Sequence, residues 1–158
     1  MTARLHRDLS YDATTREVAA MLLDPAFREE VLAAQHVLRG SAEVDGRVVR
    51  VERVHAADRI PSFARKFVGD EIDIVQQEEW TGTSASIHVT IPGKPGEIRG
   101  TTRLADDVSG TRQTVDLSVK VSVPLIGSKV ETLVADLLGK AYDKELEVGR
   151  AWLARGRA

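Results

Sequence analysis

The chain contains no cysteine. That absence removes disulfides, thiolate nucleophiles and cysteine metal sites from consideration. Aromatic residues are scarce, at 4% of 158 positions. So few rings are hard to assemble into the stacking platforms of single-strand binders. The core must come mostly from Val, Leu, Ile and Ala. No stretch approaches the ~18 to 20 apolar residues of a membrane span. The opening twelve residues also lack the continuous apolar run of a signal peptide. A cytoplasmic protein without integral membrane association is therefore the expectation. Neither sign of charge dominates, with 22 Lys and Arg against 24 Asp and Glu and a net charge of -2. Such a balance supplies no basic field for nucleic acid, and no nucleic-acid partner is expected.

The motifs of common chemistries are missing too. There is no HExxH, GxSxG, P-loop or GxGxxG, so no cofactor is called for. The histidines are His6, His36, His55 and His88, and no two share metal-ligand spacing on one expected element. No metal site is expected from them. Gly93, Gly96 and Gly100 lie beside prolines and a strand start, and read as a hairpin loop. Asp106-Asp107 and Glu78-Glu79 are neighbours on expected strands, where adjacent side chains point to opposite faces. Neither pair forms an acid/base dyad.

What is present is strong periodicity. Leu5, Leu9 and Tyr11 alternate with polar residues, predicting a strand over 3–11. Thr14 and Glu17 have capping-box spacing before a short helix over 14–23. Asp24-Pro25 then starts a second helix, with Phe27, Val31 and Leu32 on its apolar side. From residue 37 the period becomes two. Strands are predicted at 38–44 and 47–57, joined by a tight turn at Asp45-Gly46. Pro61 opens a helical segment carrying Phe63 and Phe67 on one face. Further strands are predicted at 71–80, 85–92, 97–105 and 112–123. Ser128 and Glu131 repeat the capping-box spacing. A final amphipathic helix then runs over 128–154, roughly 40 Å long and able to lie across a whole sheet. The length suits one domain over residues 1–158, and the alternating elements an α+β fold.

The order is strand, helix pair, six strands, long helix, and it resembles the START-like or SRPBCC superfamily, which includes polyketide cyclases and lipid-transport proteins. Ser10-Tyr11-Asp12-Ala13, Glu17-Val18 and Asp24-Pro25-Ala26-Phe27 look like that superfamily's opening. Val123-Pro124-Leu125-Ile126-Gly127-Ser128-Lys129-Val130-Glu131 looks like its approach to the last helix. With Trp80 and Trp152-Leu153 these segments resemble an uncharacterised actinobacterial family within it. The resemblance implies a helix-grip fold: a curved antiparallel sheet of about seven strands around the C-terminal helix, with two short helices between strands 1 and 2. It further implies a cavity for a lipid, polyketide or similar small apolar molecule. It carries over no catalytic residue.

The candidates for the cavity wall are Phe63, Phe67, Ile74, Gln76, Glu78, Trp80, Val119, Val121, Leu137, Ala141 and Tyr142. Gln76 and Glu78 share a strand face with Ile72, Ile74 and Trp80. Pointing inward, Glu78 would need Arg53, His55 or a ligand group as partner, since an unpaired buried carboxylate is costly. The simpler expectation is a solvated Glu78 at a twisting sheet edge. Phe63 and Phe67 suit either a lid or a core plug. Glu145 falls near the apolar stripe of the last helix, as a pocket group or as a mark of where the helix leaves the sheet. Three functions remain open. A carrier or sensor of an apolar molecule requires an aliphatic cavity with one or two polar anchors. A cyclase or dehydratase requires at least two of Glu78, His55 and Tyr142 to converge. A protein-interaction module requires an exposed apolar patch.

Overall fold

The computed structural model describes residues 2–56 and 60–156. The expected strand end at residue 57 and the last two residues of the tail lie outside them. The elements follow in the order β1 (Ala3–Tyr11), α1 (Thr15–Leu22), α2 (Pro25–Ala34), β2 (Arg39–Asp45), β3 (Val48–Ala56) and α3 (Ser62–Val68), then β4 (Glu71–Thr81), β5 (Ser84–Thr90), β6 (Glu97–Asp107), β7 (Gly110–Lys120) and α4 (Gly127–Arg155).

The strands form one antiparallel sheet of seven in the order β1-β7-β6-β5-β4-β3-β2. The first two strands in sequence therefore occupy opposite edges, and the helix pair α1–α2 carries the chain between them. Alternation fixes which face is inside. In β7 Thr111, Gln113, Val115, Leu117 and Val119 are buried, while Arg112, Asp116 and Lys120 are exposed. The inner faces of β1 and β7 pack on α4, whose 29 residues run about 43 Å. This is the helix-grip arrangement. Gly149 permits a close approach to β1, since a Cβ there would lie 2.7 Å from a ring carbon of Tyr11.

Local signals hold at most joints. Thr14 and Glu17 form both halves of the capping box. Asp24 caps α2 by accepting from the Ala26 amide, with Pro25 in the first turn. The hairpin lies one residue later than expected. Asp45 pairs with Val48, and Gly46-Arg47 form the turn with φ +61 at Gly46. The second capping box does not form. The turn Pro124-Leu125-Ile126 lets the Gly127 amide bond the Val123 carbonyl, so Ser128 already lies within α4. Glu131, freed from capping, is buried and accepts from the Val121 amide at 2.8 Å.

Candidate functional site

The inner face of β4 carries Ile72, Ile74, Gln76, Glu78 and Trp80, all buried. The face is the expected one, but the expectation of a solvated Glu78 is overturned: its side chain is only 3% exposed. What makes that burial tolerable is Arg28 on α2. Arg28 sits three and four residues before Val31 and Leu32, so it shares the helix's inner stripe. Its Nη2 donates to Glu78 Oε1 at 2.8 Å, and its Nη1 donates to Glu78 Oε2 at 3.2 Å. The same Nη1 reaches Glu145 Oε1 on α4 at 3.1 Å. Its Nε closes on the Leu22 carbonyl at 2.8 Å. Burial works against the Arg28 charge, but Glu78 and Glu145 outweigh it and hold the guanidinium protonated.

Glu78 is fully served. Besides Arg28 it accepts from Gln76 Nε2 at 2.7 Å and from Trp80 Nε1 at 3.0 Å. Four donors on two oxygens meet the capacity of an ionised carboxylate. Gln76 also donates to the Tyr142 hydroxyl at 3.3 Å, and its Oε1 accepts from Arg53 Nη2 at 2.9 Å. Arg53 on β3 thus enters the cluster through an amide. Burial, followed by the charges of Glu78 and Glu145, raises the Tyr142 hydroxyl well above its ordinary value.

Glu145 is served only by half. Its Oε1 meets Arg28, while Oε2 is buried without a hydrogen-bond partner. Burial is the largest influence on its carboxyl, which is pushed up to about 7. The Tyr11 hydroxyl on β1 is likewise buried and without a partner.

These side chains enclose a cavity of about 20 Å³, lined by Arg28, Arg53, Gln76, Tyr142 and Glu145 together with Val31, Leu32, Gln35, Val51 and Ala141. That is room for one water-sized group. Gln35 and Ala141 also border a wider cleft of about 540 Å³, open to solvent between the end of α2, His55 of β3 and α4. Its apolar wall is Ala34, Leu137 and Ala141, and its rim is His36, His55, Lys140, Asp143, Lys144 and Glu147.

This geometry corrects the expected aliphatic cavity. The enclosed space under α4 is small and polar, because two arginines and their partners fill it. Among the expected wall residues, Gln76 and Tyr142 line the enclosed cavity, Leu137 lines the cleft, and Ala141 borders both. Glu78 and Trp80 belong to the hydrogen-bonded cluster. Ile74, Val119 and Val121 are buried in the general core. Phe63 and Phe67 are half-buried on α3, beneath Lys129 and Lys94 respectively, and border neither space. Arg28 was missed, although its helical spacing from Val31 and Leu32 is the signal that exposes it.

None of the described helices is long and apolar enough to cross a membrane. No group of three or more His, Cys, Asp or Glu able to hold a metal exists among the described residues.

A family described as "Protein of unknown function (DUF2505)" matches residues 7–153. No curated protein matches the chain. Among solved structures it is similar to TTHA0849 from Thermus thermophilus, at 18% identity and a TM-score of 0.64, with 100% of both chains covered. It is similar also to the Zhui aromatase/cyclase from Streptomyces sp. R1128, at 8% identity and a TM-score of 0.68, over 100% of this chain and 97% of that one. The di-domain ARO/CYC StfQ from the steffimycin biosynthetic pathway matches at 10% identity and a TM-score of 0.68, with 100% of this chain on 53% of that chain. At such identities the likeness establishes the helix-grip fold and leaves the chemistry to this chain's own residues.

Proposed function

The chain belongs to the DUF2505 family, and we propose that it binds a small, mainly apolar molecule in the cleft between α2, β3 and α4, anchored by the polar cavity beneath. One observation carries this reading: a cleft of about 540 Å³, with Ala34, Leu137 and Ala141 as its apolar wall, shares Gln35 and Ala141 with the small polar cavity of the buried cluster. Ligand sites pair an apolar wall with a few convergent polar groups, and the cleft volume falls within their usual range. The likeness to aromatase/cyclase structures supports a fold that takes up hydrophobic ligands.

Nile red, a neutral apolar dye, tests the reading. It should bind the full chain one-to-one, and Ala141→Trp or Leu137→Trp should abolish its fluorescence gain while the circular dichroism spectrum stays native. Dye binding unaffected by both variants would sink it.

A second reading, proton-transfer catalysis of the dehydratase type, has one observation in its favour. Glu78 and Tyr142 converge on Gln76, and Glu145 stands beside them with its carboxyl raised to about 7, within the working range of a general acid or base. Loss of water from a 3-hydroxyacyl thioester, followed by the conjugated product's absorbance and abolished by Glu145→Gln, would establish it. Exposed large hydrophobic residues among those described are Leu38, Val108 and Leu125, each in a different loop. Their separation gives the interaction-module reading no patch to stand on.

A further inference from the structure

The two arginines of the buried cluster are treated unequally. Arg28 holds both carboxylates, Glu78 and Glu145. Arg53 is 5% exposed, yet no carboxylate among the described residues lies within ion-pair distance of it. Its one hydrogen bond in the cluster goes to the neutral amide of Gln76. A guanidinium carries five N–H donors. Burial depresses the Arg53 pKa, and Tyr142, Glu145 and Glu78 offset that only in part. A buried cation without its own counter-ion is a standing cost to the fold. Arg53 also lines the enclosed cavity, whose volume of about 20 Å³ admits one oxygen-sized group.

We propose that the molecule bound in this cleft is an apolar acid, and that its anionic oxygen is seated on the Arg53 guanidinium in the enclosed cavity. The inference rests on the binding function proposed above and names the ligand's class. The incoming oxygen gives Arg53 the counter-ion that Arg28 already has. The apolar body lies outward along Ala141 and Leu137.

Charge counting supports the fit. Two arginines and two ionised glutamates leave the cluster neutral, whereas a protonated Glu145 leaves it at +1. The groups facing Glu145 are Arg28 from α2, Glu78 from β4, Arg53 from β3, Tyr11 from β1 and Tyr142 from its own helix. An arriving anion therefore favours protonation of Glu145, whose unpartnered Oε2 then carries a hydrogen that can be donated to the ligand. The acid is taken up together with a proton.

Isothermal titration calorimetry of the full chain with matched pairs tests this: octanoate against octanamide, and 2-naphthoate against 2-naphthamide. Each acid should bind at least about tenfold tighter than its amide, the factor one charge-assisted hydrogen bond supports. In Arg53→Gln the acid and the amide should bind equally. The melting temperature of that variant without ligand should match or exceed wild type, so that lost preference is not lost folding. Acids and amides binding the wild type alike would overturn the anion inference and leave the binding function standing. An acid preference that persists in Arg53→Gln would overturn the seat. Failure of all four probes to bind would overturn both.

Discussion

Replacing Arg28 with Met is the sharpest perturbation of the buried cluster. Arg28 makes four hydrogen bonds, three of them to carboxylates that are themselves at most 6% exposed. The variant keeps most of the side chain's volume but strands Glu78 and Glu145 without their cation. Breaking a buried pair from one side costs about 3 to 5 kcal/mol. In a chain of this size each kcal/mol moves the midpoint by about 2 to 4 °C, so the melting temperature should fall by roughly 6 to 20 °C. Arg7→Met is the control. Arg7 meets Asp143 at 3.0 Å, but the two side chains are 37% and 58% exposed. Solvent screening limits that pair to less than about 1 kcal/mol. Adding Glu78→Gln and Glu145→Gln to Arg28→Met should restore most of the loss, because the stranded charges are then gone. Differential scanning calorimetry at neutral pH decides the matter. If Arg28→Met melts within about 2 °C of wild type, a change of under about 1 kcal/mol, the cluster is not the buried ion network described above.

Glu145 supplies a pH dependence. Its folded value of about 7 lies above the ordinary 4.5, so the folded chain holds a proton that the unfolded chain has released in between. That stabilisation is full below the ordinary value and is lost as pH rises through about 7, an effect on the order of 3 kcal/mol. Glu145→Gln should flatten the fall in melting temperature between pH 5 and pH 8, scanned in matched buffers. On the outer surface, His6 bonds Asp116 and Asp8, and these hydrogen bonds hold its imidazole above its ordinary pKa. Asp116→Asn should bring its NMR titration midpoint down. Two glycines of α4, Gly149 and Gly139, should respond differently. Gly149→Ala drives a Cβ to 2.7 Å from the buried Tyr11 ring and should cost about 1 to 3 kcal/mol by overpacking in urea denaturation. Gly139→Ala meets chiefly the flexible end of Arg7, and should be neutral or stabilising by up to about 1 kcal/mol through helix propensity.

The fold was legible because burial writes itself into periodicity. Alternation in β7 and the apolar stripe of α4 identify their inner faces without any neighbour being known. The starts of α1 and α2 were equally plain, since capping is a local bond between residues two or three apart. The same local logic failed at α4. Ser128 and Glu131 have capping-box spacing, but the turn at Pro124–Ile126 starts the helix earlier, and Glu131 finds the Val121 amide instead. The site was legible only in part. Gln76, Glu78 and Tyr142 were singled out by their place on inward faces. The cation that pairs with Glu78 and Glu145 was not, because Arg28 is 50 residues from Glu78 and 117 from Glu145 in sequence. A charged residue on an inner helical stripe is a sign that a partner waits across the core. A reading that weighs each element alone misses the pair. The expected apolar cavity came from the resemblance, and strand alternation had no means to correct it: it reports which face is inside and is silent on which polar groups meet there.

The central claim is that the cleft between α2, β3 and α4 holds a small apolar acid. Native mass spectrometry of the chain purified from its own source, followed by solvent extraction and identification of what is released, tests that claim most directly. The expected result is a one-to-one adduct that survives purification, is released as an apolar carboxylic acid or similar acidic molecule, and is absent from Ala141→Trp. A bare protein mass from the same preparation, with no gain in mass on addition of octanoate or 2-naphthoate, would contradict it.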